Sequence, residues 1–375
     1  MQIDCDFEGG SITILDASDA ARATLALRSD NACDFRQWFY FRVRGAKGVP
    51  CALQIVDAGE SSLPGGWDGY RACASYDGAL WRRVSTKYRG GALTIRHTPR
   101  RGVVTYAYFP YYPSARREAL VAYARSSPRA AVVELGTSVE GRPMHLIVVG
   151  DPERPVPRIW IIAHQHPGET MAAWCMEGLL GRLLDEEDPV AAAMLDEASV
   201  YVVPTMNPDG CARGNHRTNA TGRDLNREWL YPSLEESPEV FLVREAMIES
   251  GVDLFLDVHG EEAIPYVFSF GAEGIPGYSE RLAELEELFT STLAGIDPDF
   301  QRERGYDPEP PGGADLRLAS SYVAQRFNCL AQGLEMPFTD NANRPDKAVG
   351  WSPDRCRGFG RSVLEALLVC VDSLT

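Results

Sequence analysis

Past residue 140 the chain alternates short apolar runs with stretches of helical periodicity, and this alternation limits the folds open to it more than any other feature. "HLIVVG" and "RIWIIAH" precede "TMAAWCMEGLLGRLLDE", where Cys175, Leu179 and Leu183 recur every four residues. "SVYVVPTMNPDG", "PEVFLVREAMIES" and "VDLFLDVHG" continue the pattern. Strands alternating with helices predict an α/β domain with a largely parallel central sheet flanked by helices. In such sheets ligands collect in the crevice at the carboxyl ends of the strands. The polar residues that follow "RIWIIA", "SVYVV" and "DLFLDV" are therefore expected to converge in space.

The first hundred residues read differently. "SITIL", "ATLAL", "WFYFRVRG", "CALQIVD" and "ALTIRH" are short β-like runs separated by Gly, Asp and Ser turns, which predicts a small antiparallel β-sandwich or barrel. An aromatic, proline-punctuated strand, "VVTYAYFPYYP", then gives way to an amphipathic helix near Ser114. The domain boundary is placed at 112, giving an amino-terminal sandwich over 1–112 and a second domain over 113–375.

With 53 acidic against 37 basic residues the formal charge is -16, which argues against nucleic acid and anionic membrane surfaces as partners. The start of the chain lacks a basic segment followed by an apolar one, so no secretory signal is expected. Nine scattered cysteines without a C-x-x-C pair suit reduced thiols, and a cytoplasmic location is expected.

Only six histidines occur, and two lie in "HQHPGET", directly between a strand and a helix. His166 and Glu169 are three residues apart, so a backbone turning into a helix lets both side chains face one point. An imidazole nitrogen and a carboxylate oxygen are ligands that zinc accepts, and a catalytic site wants three of them with one position left for water. His259, at the end of the alternating run "VDLFLDVHG" about ninety residues later, is the expected third. A bare H-x-x-E arises often by chance; strand, ligand pair, helix and a second strand ending in histidine do not.

Taken together, "AHQHPGETMAAWCMEGLL", "PTMNPDGCARGNHR", "GRDLNREW" and "DVHG" resemble the zinc carboxypeptidase family, in particular its cytosolic carboxypeptidase subgroup. "QWFYFRVRG" and "TYAYFPYYP" resemble the β-sandwich that this subgroup carries ahead of its catalytic domain. The resemblance implies a carboxypeptidase-like mixed central sheet, one zinc ion, and hydrolysis of the C-terminal peptide bond of peptides or proteins. Zinc lowers the pKa of a bound water from about 15.7 toward about 7, and a carboxylate then takes and later delivers the proton. By resemblance that carboxylate is Glu335 in "GLEMPF". Arg227, beside Asn226, matches the clamp for the terminal carboxylate, a task suited to the two parallel donors of a guanidinium. Arg217 matches the arginine that polarises the scissile carbonyl, and Asp224 the aspartate that fixes the tautomer of a zinc-bound histidine, here His166. His164, His216 and Glu261 are expected near the metal without binding it, Glu261 standing where the subgroup's D-x-H-G-H pattern has a second histidine.

The pocket for the C-terminal side chain is expected within "GYDPEPPGGADLRLASSYVAQRFNCLAQGLE". An acidic residue there would need a cation, for which Arg317 is the first choice among Arg302, Arg304, Arg317 and Arg326; Asp315 would instead suit a basic residue. Tyr306, with Tyr322 as a rival, is the phenol expected to close over substrate. Two alternatives stand beside it: an N-acyl amino acid deacylase of the aspartoacylase type, which uses the same H-x-x-E plus distant His zinc set, and a non-catalytic peptide-binding protein in which the sandwich does the work and the zinc is structural or absent.

Overall fold

Residues 1–374 are described by the structure, a computed structural model. Its first ten strands are β1 (Gln2–Asp4), β2 (Thr13–Asp16), β3 (Ala23–Ala26), β4 (Tyr40–Arg44), β5 (Cys51–Ile55), β6 (Cys73–Ser75), β7 (Trp81–Arg83), β8 (Ser85–Arg89), β9 (Ala92–His97) and β10 (Val103–Ala107). They form two five-stranded sheets, ordered β1-β4-β10-β6-β7 and β2-β3-β5-β9-β8. Period-two burial drives this pairing: Phe41 and Val43, Leu53 and Ile55, Leu93 and Ile95, and Val104 and Tyr106 are all buried. Side chains two apart share a sheet face, so each strand contributes one apolar row to the interior. The expected sandwich is present, with one departure from antiparallel order. After β3 the chain crosses to the other sheet as β4 and returns as β5, and such a crossover makes β3 and β5 parallel.

The second part contains β11 (Ala130–Thr137), β12 (Pro143–Val149), β13 (Arg158–Ala163), β14 (Ser199–Val203), β15 (Leu254–Glu261), β16 (Phe268–Phe270) and β17 (Leu330–Pro337). Its helices are α1 (Ser114–Ser126), α2 (Thr170–Leu183), α3 (Pro189–Glu197), α4 (Pro208–Arg213), α5 (Pro238–Ser250), α6 (Glu280–Ile296), α7 (Ala319–Phe327) and α8 (Pro353–Val371). The seven strands make one sheet in the order β11-β12-β14-β13-β15-β17-β16. The pairings β13–β14, β13–β15 and β15–β17 are parallel, whereas the outer pairings are antiparallel, so the sheet is mixed. Every residue of β14 and every residue of β13 from Ile159 onward is buried, as expected of strands covered on both faces.

The sandwich docks on the loops at the carboxyl end of this sheet. Arg83 of β7 is buried and donates from Nη2 to the carbonyls of Phe338 (2.6 Å) and Thr339 (2.8 Å), just past β17. Tyr108 stacks on Phe338 with ring centroids 4.5 Å apart. No helix among the described residues is long and apolar enough to cross a membrane.

Candidate active site

β13 ends at Ala163, and the next six residues turn sharply before α2 begins. His164 takes a left-handed conformation with φ of 63°. Its Nε2 lies 2.9 Å from the Pro167 carbonyl, and burial pushes its pKa down to about 4, so it is a neutral brace for the turn. At Gly168 a Cβ would lie 2.3 Å from His216 Nδ1, so only glycine lets the turn pass this close to that ring. Glu169 occupies the N-cap of α2 without capping it, because its carboxylate is used elsewhere.

Glu169 Oε1 is 2.7 Å from His166 Nδ1, and Oε2 is 2.8 Å from His259 Nδ1. The Gly260 amide, at the end of β15, also donates to Oε2, at 3.1 Å. Three candidate ligand atoms, one from each residue, thus lie within 4.8 Å of one another, and all three residues are buried. The far nitrogen of each ring meets an aspartate: His166 Nε2 is 2.9 Å from Asp224 Oδ1, and His259 Nε2 is 2.7 Å from Asp257 Oδ2. Carboxylates in these places hold the Nε2 protons and leave the Nδ1 lone pairs aimed inward. Two inward lone pairs beside a carboxylate repel one another unless a cation sits between them, so the donor set fits a metal ion. Two imidazoles and one carboxylate match the ligand set of zinc sites that keep a fourth position open.

Asp257 carries no role in the sequence reading, although Asp257 and His259 stand two apart on one strand and so share its face. Gln165 Nε2 donates to Asp257 Oδ2 (2.7 Å), and Trp229 Nε1 donates to Gln165 Oε1 (2.9 Å), so the aspartate is itself held in place.

Glu335 lies on β17 directly across from His259, its Cα partner in the parallel ladder. It is buried; Oε1 accepts from the Tyr306 hydroxyl at 3.2 Å, and Oε2 has no partner. Burial, opposed by His259 and reinforced by Glu169, Glu261 and Glu262, pushes its pKa well above the usual carboxylate range. The Tyr306 hydroxyl also lies 2.5 Å from Glu261 Oε2, so its one proton is shared between two carboxylates, and its ring packs edge-on against Phe268.

A loop after α4 supplies the remaining polar groups. Asp224 bridges His166 and Arg217, accepting from Arg217 Nε at 2.7 Å through Oδ2. Asn226 Oδ1 accepts from the Ala319 amide at 2.8 Å, and Arg227 Nη1 donates to the Asn226 carbonyl at 2.7 Å. Arg217, Asn226, Arg227, Tyr306 and Glu335 line one cavity of about 390 Å³ together with the triad. Arg317 lies outside it. Asp315, two residues away, captures the guanidinium at 2.7 Å, leaving 59% of the arginine side chain exposed at the rim.

A further set of contacts reaches in from the sandwich. Asp30, buried in a loop of the first domain, accepts from the backbone amides of His216 (2.6 Å), Arg217 (2.8 Å) and Thr218 (2.9 Å). Phe35 stacks on the His216 ring at 5.7 Å and lies under the Arg217 guanidinium at 5.6 Å. His216 Nε2 in turn is 2.6 Å from Glu262 Oε1. No spacing rule connects residue 30 with residue 217, so this clamp carries no signal in the sequence.

Comparison with known proteins accords with this geometry. A family model described as the cytosolic carboxypeptidase N-terminal domain matches residues 3–109, and one described as zinc carboxypeptidase matches residues 117–343, more than half the chain. The chain belongs to the zinc carboxypeptidases. As a member of that family it is a metallocarboxypeptidase that uses a single zinc ion. The crystal structure of a metallo-carboxypeptidase from Burkholderia cenocepacia is similar over 99% of both chains, with a TM-score of 0.97 and 44% identity. A metallo-carboxypeptidase from Pseudomonas aeruginosa, solved in complex with (2-guanidinoethylmercapto)succinic acid, is similar over 100% of both chains, with a TM-score of 0.97 and 45% identity. Mouse cytosolic carboxypeptidase 1 is 26% identical over 72% of this chain, which spans 26% of the mouse protein's length.

Proposed function

We propose that this zinc carboxypeptidase removes the last residue of peptides or proteins, with Glu335 as the base and acid of the reaction. The observation that carries this reading is the cavity that places Glu335 and the His166, Glu169 and His259 triad together with Arg227. In it His166, Glu169 and His259 would hold the zinc ion, which when bound would supply Lewis-acid activation of water and of the scissile carbonyl. Arg227 and Asn226 receive the terminal carboxylate, which requires Asn226 to keep its amide fixed by Ala319. Glu335 takes a proton from the attacking water as the oxygen adds to the carbonyl carbon. It returns that proton to the nitrogen as the C–N bond breaks, which releases an amino acid and the shortened peptide. Arg217, anchored by Asp224, faces the charge that develops on the carbonyl oxygen. Tyr306, bonded to Glu261 and Glu335, covers the bound residue.

The P. aeruginosa relative's ligand joins a guanidine to a succinic acid, and a succinate suits a cleft that offers a metal and an arginine. Asp224 serves as the partner that keeps His166 in its metal-binding tautomer. We place the catalytic domain at 113–375, beginning after Tyr112, and the protein in the cytoplasm. The deacylase alternative lacks any observation in its favour, and the match over residues 117–343 is to the peptidases.

The test is a peptide library incubated with the zinc-loaded protein and read by mass spectrometry, each peptide supplied as the free acid and as the C-terminal amide. Single residues are expected to leave the free acids only. Equal cleavage of the amides, or cuts at internal bonds, would refute the role of Arg227 and the exopeptidase reading with it.

A further inference from the structure

The cavity extends well past the triad. Its other end lies between two segments, Ser269–Gly274, which begins within β16, and Asp307–Asp315. These walls touch: the Ala314 amide donates to the Gly274 carbonyl at 3.1 Å, and a Cβ on Gly274 would lie 2.5 Å from Glu309 Cβ. A substrate held by its carboxylate at Arg227, with its scissile bond at the triad, has this end left for its last side chain.

Glu273, Asp307, Glu309 and Asp315 all line that end. Glu286 stands directly behind it, since a Cβ on Gly271 would come within 2.5 Å of Glu286 Oε1. Its other oxygen accepts from the Tyr278 hydroxyl at 2.8 Å. Burial and the neighbouring Glu273 push the Glu286 pKa up to about 7, the mark of paired carboxylates without a counter-cation. Among the described residues, the only arginines or lysines lining the cavity are Arg217, bonded to Asp224, and Arg227, bonded to the Asn226 carbonyl. Arg317, the cation expected from the sequence to meet an acidic side chain, is held at the outer rim by Asp315.

From these walls we infer that the enzyme selects peptides ending in a cationic residue, lysine or arginine, with Glu273 as the chief determinant. This deepens the carboxypeptidase reading and rests on it. An acidic preference, one of the two the sequence left open, would set a carboxylate against Glu273 and Glu309, with Arg317 already paired to Asp315. A lysine or arginine side chain instead supplies the missing counter-charge, and like-charge rejection sharpens the choice.

Three peptides that differ only in the last residue, Lys, Arg or Glu, test this with the zinc-loaded full chain. The expected kcat/KM favours Lys and Arg over Glu by about 100-fold. Glu273→Lys should reverse the order so that the Glu peptide becomes the better substrate; should that variant fail to fold, Glu273→Gln must bring the ratio down toward one. Cleavage of all three peptides with Glu equal or preferred in the wild type would overturn the inference and leave the carboxypeptidase reading standing, as would an unchanged ratio in both variants. Release from none of the three would overturn the reading itself.

Discussion

Glu335→Gln is expected to lower kcat by about 10²–10⁴-fold, the usual worth of a positioned proton carrier, while KM and zinc content stay near those of the wild type. The substitution keeps the shape of the side chain and removes its ability to take a proton. Thermal stability should not fall. The carboxylate is buried with Oε2 unpartnered and with Glu169, Glu261 and Glu262 nearby, so its charge is a cost that the fold carries for function. Steady-state kinetics beside metal analysis and a melting curve would read all three. A Glu335→Gln enzyme with wild-type turnover would remove Glu335 from the chemistry.

The second large effect is expected from the other domain. Asp30→Ala removes the acceptor for three consecutive backbone amides, and each buried donor left unpaired costs about 1–3 kcal/mol. The melting temperature should drop by at least roughly 6 °C, taking about 3 kcal/mol or more at about 2–4 °C per kcal/mol. Well below that lowered midpoint, kcat should still fall toward the value of Arg217→Ala, because the loop that aims Arg217 has lost its anchor. Loss of one oxyanion donor costs about 10²–10³-fold in kcat, which sets the scale for Arg217→Ala. Zinc content should be retained, since Asp30 touches none of the triad. If Asp30→Ala lowers stability while leaving kcat untouched, the sandwich supports the fold and has no part in aiming Arg217.

Much of the site was legible because its residues obey local rules. His166 and Glu169 share a turn between a strand and a helix, and His259 stands near the end of β15, whose apolar and acidic residues alternate in the sequence. The β-like runs of the first domain became β2, β3, β4, β5 and β9, and the helix expected near Ser114 begins there. Groups fixed by long-range packing were not legible. Asp257 shares a strand face with His259, a signal present but unused. Asp30 reaches Arg217 only after two domains have docked, and nothing near residue 30 announces it. The charge of the far end of the cleft was equally hidden. It depends on Glu273 and Glu286 meeting from separate elements, while Arg317, the expected cation, is turned outward by its neighbour Asp315.

Anomalous scattering at the zinc edge, from crystals of the purified, active protein, tests the central claim most directly. One peak per chain enclosed by His166 Nδ1, His259 Nδ1 and the Glu169 carboxylate is the predicted result, and it should vanish in His259→Ala. A peak at any other place in active crystals, or undiminished zinc in that variant, would contradict it.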